Sequence, residues 1–421
     1  MMLITIVAVL PTIWIVDASN GPGTNFTNLP PAVTAAASGD TIIVKAGAYS
    51  TFNATGKALT IIGAGASMTS LVSSLGARID SVPAGMTFYV EGLKFGASLG
   101  GTSNSVPAGL RVSGATTKVV LTDVVMEGKT VTLSGLMQTG GVPGLLVVGG
   151  AEVHLSRSTA TGGNGGSYAA AEGARVEGGC KLAADASTFI GGAGTNGGYE
   201  FGGSGMVVLG SSSLSRCSAF GGASIWQTGD GITVTGFVRV AGTVADVIKA
   251  GTPGVSTAPF PGIAINAYQG ATGVVVHGSV TLLPALPNGA LTSGAVTLGA
   301  PVLPYLALTG TTTSGGALVA SQPVTLFLDG VLPSAPFVLA IATAASFSSY
   351  APLILGEVLI PDPPGVLIQG NLDPVGAFQE TATPAAAAPA IVGFPIYLQA
   401  GVFDVGASQF RVSNGLVRLI Q

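Results

Sequence analysis

Short runs of alternating apolar and polar residues, each opened by a glycine, recur through the first two thirds of the chain. The opening glycines are spaced 24, 35, 29, 32, 26 and 31 residues apart. A repeat of this length, with two or three short strands in each, predicts the coils of a parallel β-helix. The runs are Gly85–Gly92, Gly109–Gly114 (GLRVSG), Gly144–Gly149 (GLLVVG), Gly173–Gly178, Gly205–Gly210, Gly231–Gly236 and Gly262–Asn266.

In five of these runs the alternation places a valine on the same side of its strand. Stacked coil on coil, these valines form an inward ladder, and glycine supplies corners with positive φ. The competing interpretation is an antiparallel sandwich, but Asn-Gly and Asp-Gly hairpin turns are scarce between the runs. Residues 12–285 are therefore predicted to form a parallel β-helix. The ladder valines are Val112, Val147, Val176, Val208 and Val234.

The segment 12–65 resembles the opening of right-handed parallel β-helix proteins of the pectin-lyase-like superfamily. Three features carry the resemblance: a short helix at Leu29–Ala37, the strand segment Gly39–Tyr49 (GDTIIVKAGAY) and the segment Leu59–Gly65 (LTIIGAG). The resemblance implies a right-handed coil whose open end is covered by the helix. It implies function poorly, because this fold hosts lyases, hydrolases, esterases, adhesins and structural proteins.

After about residue 285 the glycine-opened runs stop, and strand-like runs alternate with proline-rich turns. Seven or eight short strands over about 130 residues are typical of an antiparallel β-sandwich. We therefore predict an all-β chain, a right-handed parallel β-helix followed by a C-terminal β-sandwich at 286–421. The tail is similar to the C-terminal β-sandwich modules of exported bacterial proteins, which implies attachment, sorting or adhesion.

Composition narrows the function classes. The chain has 421 residues and a net charge of −4, with only 15 Lys and Arg. So few cations argue against a nucleic-acid partner, which needs a basic surface to neutralise phosphates. The apolar share of 48% argues against disorder, because disordered chains are poor in apolar residues.

The first residues favour export. Residues 3–10 (LITIVAVL) are apolar and precede Pro11, so 1–11 is either the remnant of a secretion signal or a first strand. Eight residues are too few to span a bilayer, and we predict no transmembrane segment. Two cysteines, Cys180 and Cys217, form either one bridge or two buried thiols.

Three insertions fall at one phase of the repeat, at 164–171, 193–204 and 223–229. In a stacked solenoid such insertions emerge on one face, which is commonly the binding face. Exposed aromatic residues beside carboxylates suit sugar rings, although the same side chains would also serve to pack the loops onto the helix. The ligand-binding candidates are Tyr168, Tyr199, Phe201, Trp226 and Gln227, and the acidic candidates are Glu172, Glu200 and Asp230.

Catalysis on this face would need particular groups. A glycosidase needs two carboxylates about 5–5.5 Å apart if retaining and wider if inverting, and Glu172 with Glu200 or Asp230 is the candidate pair. A pectate-type lyase needs an acidic Ca²⁺ cluster and a basic residue. Arg157 and Arg216 share one phase, but the dense Asp cluster is missing.

No metal site or cofactor is predicted. The histidines, His154 and His277, lie 123 residues apart outside any ligand motif, and we expect both to face solvent on strands. The leading hypothesis is an exported, cell-surface or extracellular β-helix protein with a structural or adhesive role, through glycan binding or filament formation by self-association. The alternative is a polysaccharide lyase or glycoside hydrolase that acts through the 164–230 face.

Overall fold

A computed structural model gives the fold of most of the chain. The described residues are 11–73, 76–97, 108–133, 138–165, 169–194, 201–253, 261–268, 271–286, 290–300, 302–310, 324–330, 332–342, 348–349, 354–355, 357–358, 366–382, 395–414 and 416–419. Residues 1–10, most of the predicted apolar N-terminal segment, lie outside this part.

In the first three quarters of the chain, the described residues form short strands and one helix, α1 (Leu29–Ala35). The strands are β1 Ile13–Val16, β2 Thr41–Val44, β3 Gly47–Tyr49, β4 Asn53–Thr55, β5 Thr60–Gly63, β6 Thr69–Ser73, β7 Ala77–Asp80, β8 Phe88–Glu91, β9 Lys94–Ala97, β10 Leu110–Ser113, β11 Lys118–Thr122, β12 Val125–Glu127, β13 Thr130–Leu133, β14 Gln138–Gly141, β15 Leu145–Val148, β16 Glu152–Ser156, β17 Thr159–Thr161, β18 Ala174–Val176, β19 Lys181–Asp185, β20 Thr188–Ile190, β21 Met206–Val208, β22 Ser211–Ser215, β23 Ser218–Phe220, β24 Ile232–Val234, β25 Phe237–Gly242, β26 Val247–Lys249, β27 Ile265–Ala267, β28 Gly273–Gly278, β29 Thr281–Leu283, β30 Thr292–Ser293 and β31 Val296–Ala300.

These strands wind into three parallel sheets, which confirms the parallel β-solenoid. In the described part of the chain, sheet A has 11 strands (β1, β2, β5, β8, β11, β16, β19, β22, β25, β28 and β31). Sheet B has nine (β3, β6, β9, β12, β17, β20, β23, β26 and β29), and sheet C has nine (β4, β7, β10, β15, β18, β21, β24, β27 and β30). Each strand pairs in parallel with its counterpart in the next coil, and among the described solenoid strands only the hairpin β13–β14 is antiparallel.

The predicted valine ladder forms the wall of the core on sheet C. Register pairing joins Val112 to Val147, and then Val176, Val208 and Val234 in successive coils. All five side chains are fully buried. Burying a valine side chain contributes about 1.5 kcal/mol or more, and each coil supplies the surface that covers the next.

Helix α1 covers the N-terminal end of this core, as the resemblance implied. Pro30 and Pro31 occupy its first turn, where a missing N–H costs no hydrogen bond. Leu29 and Val33 point into the core and are buried. At the other end of the helix, the ammonium of Lys57 donates to three carbonyl oxygens, those of Val33, Thr34 and Ala36, at 2.7–2.9 Å. The lysine thereby satisfies backbone groups that the helix leaves unpaired.

The C-terminal region consists of mostly antiparallel sheets, which confirms the predicted change of architecture. Its described strands are β32 Tyr305–Gly310, β33 Val324–Asp329, β34 Pro336–Ala342, β35 Ser348–Ser349, β36 Ile354–Leu355, β37 Glu357–Val358, β38 Val366–Asn371, β39 Ala377–Ala382, β40 Pro395–Asp404, β41 Gln409–Val412 and β42 Leu416–Leu419. Strands β32, β33 and β39 form one sheet, β34, β36, β38, β40, β41 and β42 a second, and β35–β37 a short pair. Among the described strand pairs of this region, only β36–β41 is parallel.

The two larger C-terminal sheets share one core. Leu306 and Leu328 of the three-stranded sheet pack in a cluster with Phe337, Leu339 and Val402 of the other. Parallel pairing of the solenoid continues to β31, and antiparallel pairing begins at β32. The domain boundaries and the assignment of all of 286–421 to a β-sandwich stay predictions.

The C-terminal region packs against the outer face of sheet A. Tyr397 joins Tyr89 and Val120 in a small buried cluster. The Arg216 guanidinium lies 3.7 Å from the centre of the Tyr305 ring, a cation–π contact. Because outward residues of sheet A are covered in this way, His154 is buried, and the expectation that it faces solvent is wrong.

His277, the other histidine, is also buried, at 1% exposure, so the same expectation is wrong for it. It lies in β28, where outward residues of sheet A follow the row that contains Asp185 and Ala241. Both cysteines are buried free thiols, which decides between the two alternatives for Cys180 and Cys217. Burial raises the pKa of both thiols.

Asn414 connects the C-terminal region to the solenoid. Its amide nitrogen donates to Asp185 Oδ1 at 3.1 Å and to the Leu306 carbonyl at 2.9 Å. Its amide oxygen accepts from the Leu306 N–H at 2.7 Å. One buried side chain therefore holds the start of β32 against the coil that contains Asp185.

We predict that Asn414→Ala destabilises the C-terminal region by about 2 kcal/mol, because it leaves buried partners unsatisfied. Differential scanning calorimetry should show a lower transition temperature for this region. Asn371→Ala is the control, because Asn371 is exposed in β38 and its truncation should change little. Equal effects of the two substitutions would contradict the role of Asn414.

Glu152, on the outer face of sheet A, makes the stability of the fold depend on pH. It lies in register between Lys118 and Lys181, and its Oε1 is 3.0 Å from His154 Nε2. Burial alone would raise the pKa of this carboxyl, but the hydrogen bond with His154 and the charges of His154, Lys118 and Lys181 lower it below its usual range. A lowered pKa in the folded state means that Glu152 stabilises the fold above its ordinary pKa. This contribution is lost as pH falls through the folded value.

We predict that Glu152→Gln lowers the melting temperature at pH 7. The difference from the wild type should shrink as pH falls below the ordinary carboxyl range, because the wild-type side chain is then protonated. Thermal unfolding followed by circular dichroism between pH 3 and pH 7 measures this. A constant difference across the range would contradict the linkage.

Candidate functional site

The three predicted insertions leave the solenoid at one corner. Each begins after a strand of sheet B and ends before a strand of sheet C, for example between β17 and β18. The insertions therefore stack above one another along the axis. Two parts of them, 166–168 and 195–200, lie outside the described residues, and with them the candidates Tyr168, Tyr199 and Glu200.

A continuous zigzag of backbone hydrogen bonds closes the base of the insertions. Bonds across the base of one insertion alternate with bonds to the next coil, and the N···O distances are 2.7–3.0 Å. We call the residues of this chain of bonds the glycine seam. They are, in order, Gly163, Ala171, Gly192, Gly203, Gly222, Gly229 and Gly251.

Close approach of backbones explains the glycines of the seam. A Cβ on Gly192 would lie 2.0 Å from the Gly163 carbonyl oxygen, and one on Gly222 would lie 1.8 Å from that of Gly192. These glycines do not have positive φ, so the expected role of glycine at such corners is wrong for the seam. Their function is to leave room for the carbonyl of the coil below.

The corner between sheets A and B is built differently. There the left-handed conformation is adopted by non-glycine residues, namely Asp123, Arg157, Ala186 and Arg216, with φ between 46° and 51°. They occupy equivalent positions in successive coils, and the N–H of each donates to a carbonyl of the next coil. Arg157 and Arg216 therefore do share one phase, two coils apart. Arg157 binds Asp123 through two nitrogens, and Arg216 contacts Tyr305.

Outside the seam the insertions continue to pair from coil to coil. Phe201 and Gln227 form a parallel bridge, in which the Gly202 N–H donates to the Gln227 carbonyl at 2.7 Å. Phe201 is 38% exposed, and Trp226 and Gln227 are half-buried. The structure thus brings together three of the five predicted ligand-binding residues.

The acidic candidates Glu172 and Asp230 lie on one edge. The Gly173 N–H donates to the Ser204 carbonyl, and the Gly205 N–H donates to that of Asp230. Glu172, Ser204 and Asp230 are therefore successive rungs. Two coil spacings separate the backbones of the acids by roughly 10 Å.

Glu172 is engaged by a neighbouring cation. The Arg175 guanidinium donates to Glu172 Oε1 at 3.1 Å and to Glu177 Oε1 at 2.6 Å. Partial burial would lower the pKa of Arg175, but the two carboxylates raise it. The three side chains form an ion-pair cluster on the outer face of sheet C.

Asp230 is held by three donors. Its Oδ1 accepts from the Ile263 N–H at 2.8 Å, and its Oδ2 accepts from Asn266 Nδ2 at 2.8 Å and Thr233 Oγ1 at 2.9 Å. Both oxygens therefore connect Asp230 to its own strand and to the next coil. The side chain is half-buried.

A row of polar side chains surrounds Asp230. Ser204 Oγ lies 2.9 Å from Thr233 Oγ1, and Ser293 Oγ donates to Asn266 Oδ1 at 2.6 Å. We call Ser204, Asp230, Thr233, Asn266 and Ser293 the polar ladder. Sequence reasoning identified Asp230 but missed the other four, although Thr233 and Asn266 occupy the outward position between two buried residues of their runs.

Two further observations concern metal binding and membrane crossing. Among the described residues, no three His, Cys, Asp or Glu side chains are arranged to hold a metal ion. Within the same part of the chain, no helix has the length and apolar character needed to cross a bilayer. The catalytic assignments of Glu172, Glu200 and Asp230 stay predictions.

Comparisons with known proteins do not assign the chain to a family. No protein-family model matches the chain, and no curated protein matches it. It is similar to the solved enzymatically active domain of tailspike protein 4 (TSP4dN, orf213) of bacteriophage CBA120, with 12% identity and a TM-score of 0.27. The match covers 91% of this chain and 64% of that chain. A likeness at this level carries no information on function.

We predict that Gly222→Ala destabilises the solenoid by about 3 kcal/mol, because the new Cβ would collide with the Gly192 carbonyl oxygen. Gly178→Ala is the matched control, since its Cβ would meet no atom within 4 Å. Thermal unfolding of both variants measures the difference. Similar melting temperatures for both would show that the seam tolerates a side chain.

Proposed function

We propose that this chain is an exported β-helix protein of the cell surface or extracellular space that binds a glycan along the insertion face. The observation that carries the proposal is the exposed Phe201, bridged to Gln227 beside the polar ladder. An aromatic ring offers a flat apolar face to a sugar ring. The hydroxyl, amide and carboxylate groups of the ladder match sugar hydroxyls, which both donate and accept hydrogen bonds.

The spacing of these groups favours a polymer over a small molecule. The ladder residues belong to successive coils, so polar groups recur along the solenoid axis at intervals of about 4.8 Å. A ligand with repeated units can contact several coils at once. This arrangement supports an adhesive or structural role.

The charges favour a neutral glycan. Glu172, Glu177 and Asp230 outnumber Arg175, the cation that pairs with the first two. An anionic polysaccharide would meet net negative charge, which opposes association. We therefore expect a hydroxyl-rich, uncharged ligand.

The state of the acids favours binding over cleavage. Asp230 already accepts three hydrogen bonds, and Glu172 is engaged by Arg175. Both side chains would have to break these hydrogen bonds before they could transfer protons to a substrate. A polysaccharide lyase or glycoside hydrolase acting through the same face is the alternative that the following experiment distinguishes.

The test is binding to a panel of neutral and anionic polysaccharides, measured by affinity electrophoresis and calorimetry. We predict that Phe201→Ala weakens binding to a neutral polysaccharide about tenfold, because one aromatic contact is lost. Phe410→Ala is the matched control: Phe410 is 36% exposed but lies in the C-terminal region. Its removal should leave the affinity unchanged.

Three outcomes would contradict the proposal. Binding to none of the polysaccharides would remove it, and equal losses in both variants would place the site elsewhere. The release of new reducing ends or unsaturated products, abolished by Glu172→Gln, would favour the enzyme.

A further inference from the structure

The last coil of the solenoid differs from the coils before it. Strands β29, β30 and β31 are outermost in their sheets, with pairing on one side in the described part of the chain. In the preceding coil the inward residues Ile248, Ile265 and Val274 are 0–1% exposed. Their register partners, Leu282, Thr292 and Val296, are only partly buried. Among the described residues, therefore, nothing covers this end of the core column.

Large apolar side chains surround this open end. Leu283, Leu291 and Leu298 are 40%, 43% and 52% exposed, respectively. None of the residues described between 281 and 300 is classed as buried. Exposed apolar side chains beside unpaired strand edges mark a surface that favours association.

The two ends of the solenoid are not equivalent. At the N-terminal end, helix α1 covers the core with Leu29, Ala32 and Val33, all at most 2% exposed. The open end of one copy thus cannot continue its core into the N-terminal end of another. This asymmetry argues against head-to-tail filaments and leaves the open end to meet another open end.

The lack of charged residues in the last coil indicates which partner the open end can accept. There is no Lys, Arg, Asp or Glu between Lys249 and Asp329, a stretch that contains the whole last coil. Exposed edge strands usually carry charges that prevent pairing, and this edge has none. In a two-fold interface each surface meets its own copy, so any charge near the axis faces the same charge. The last coil carries no charge of its own and can meet itself without repulsion, and Arg411, which donates to the Val302 carbonyl just beyond β31, is paired with Asp404.

We propose that two copies of this chain associate through the open C-terminal ends of their solenoids. A two-fold axis perpendicular to the solenoid axis brings β31 of one copy antiparallel to β31 of the other. The edge N–H and C=O groups then find partners, and the two core columns become one. The interface buries Leu291 and Leu298 of both copies, whereas Leu283, in register with the outward Lys249, lies at its rim.

Sedimentation velocity over a range of protein concentrations tests this inference. The wild-type chain, of 41.1 kDa, should sediment as a particle of twice that mass. Leu298→Lys should weaken the dimer at least about 100-fold, because two ammonium groups would meet at the interface. Met68→Lys is the matched control: Met68 is 50% exposed but lies in an early coil, so this variant should remain dimeric.

Circular dichroism verifies that each variant is folded. If Leu298→Lys does not fold, Leu291→Lys replaces it, since Leu291 lies beside the buried Ala264 of the preceding coil. A monomeric wild type at all concentrations, species larger than a dimer, or a dimer that persists in the folded lysine variant would each overturn the proposal. Dissociation of Met68→Lys to the same extent would also overturn it, because the interface would then lie elsewhere.

Discussion

In-register stacking of parallel coils is the constraint on which the rest of the structure depends. Each residue lies beside its counterpart one coil away, so a property at one position is repeated along the axis. The valine ladder repeats burial, and the polar ladder repeats hydrogen bonding. The glycine seam shows how tight this stacking is, because at Gly222 even a methyl group would collide with the coil below.

The sequence contained enough information to predict the solenoid. Apolar alternation depends only on local spacing, so the ladder from Val112 to Val234 could be predicted without a structure. The helix beginning at Leu29 was predicted from the resemblance of segment 12–65 to other β-helix proteins, with a C-terminal end two residues too late. The predicted positive φ is found at Gly92, Gly114 and Gly149, which close three of the runs. It is wrong for the glycines of the seam, because their close approach depends on the neighbouring coil.

Contacts between distant segments could not be predicted. Asn414 and Asp185 are 229 residues apart, and no local pattern links them. For the same reason, no local pattern indicates that His154 is buried under the C-terminal region. At the candidate site, Phe201 and Gln227 were identified by their type and phase. The partners of Asp230 were not, because Ile263 and Asn266 belong to the next coil.

The seam also separates two kinds of sequence change. Seven residues lie between Gly163 and Ala171, ten between Gly192 and Gly203, and six between Gly222 and Gly229. The loops differ in length, but they begin and end at the same pattern of backbone hydrogen bonds. That pattern does not depend on the residues inserted above it. Mutation can therefore lengthen, shorten or replace a loop while the column beneath keeps its shape. A lineage with this architecture can diversify its recognition surface and conserve its scaffold.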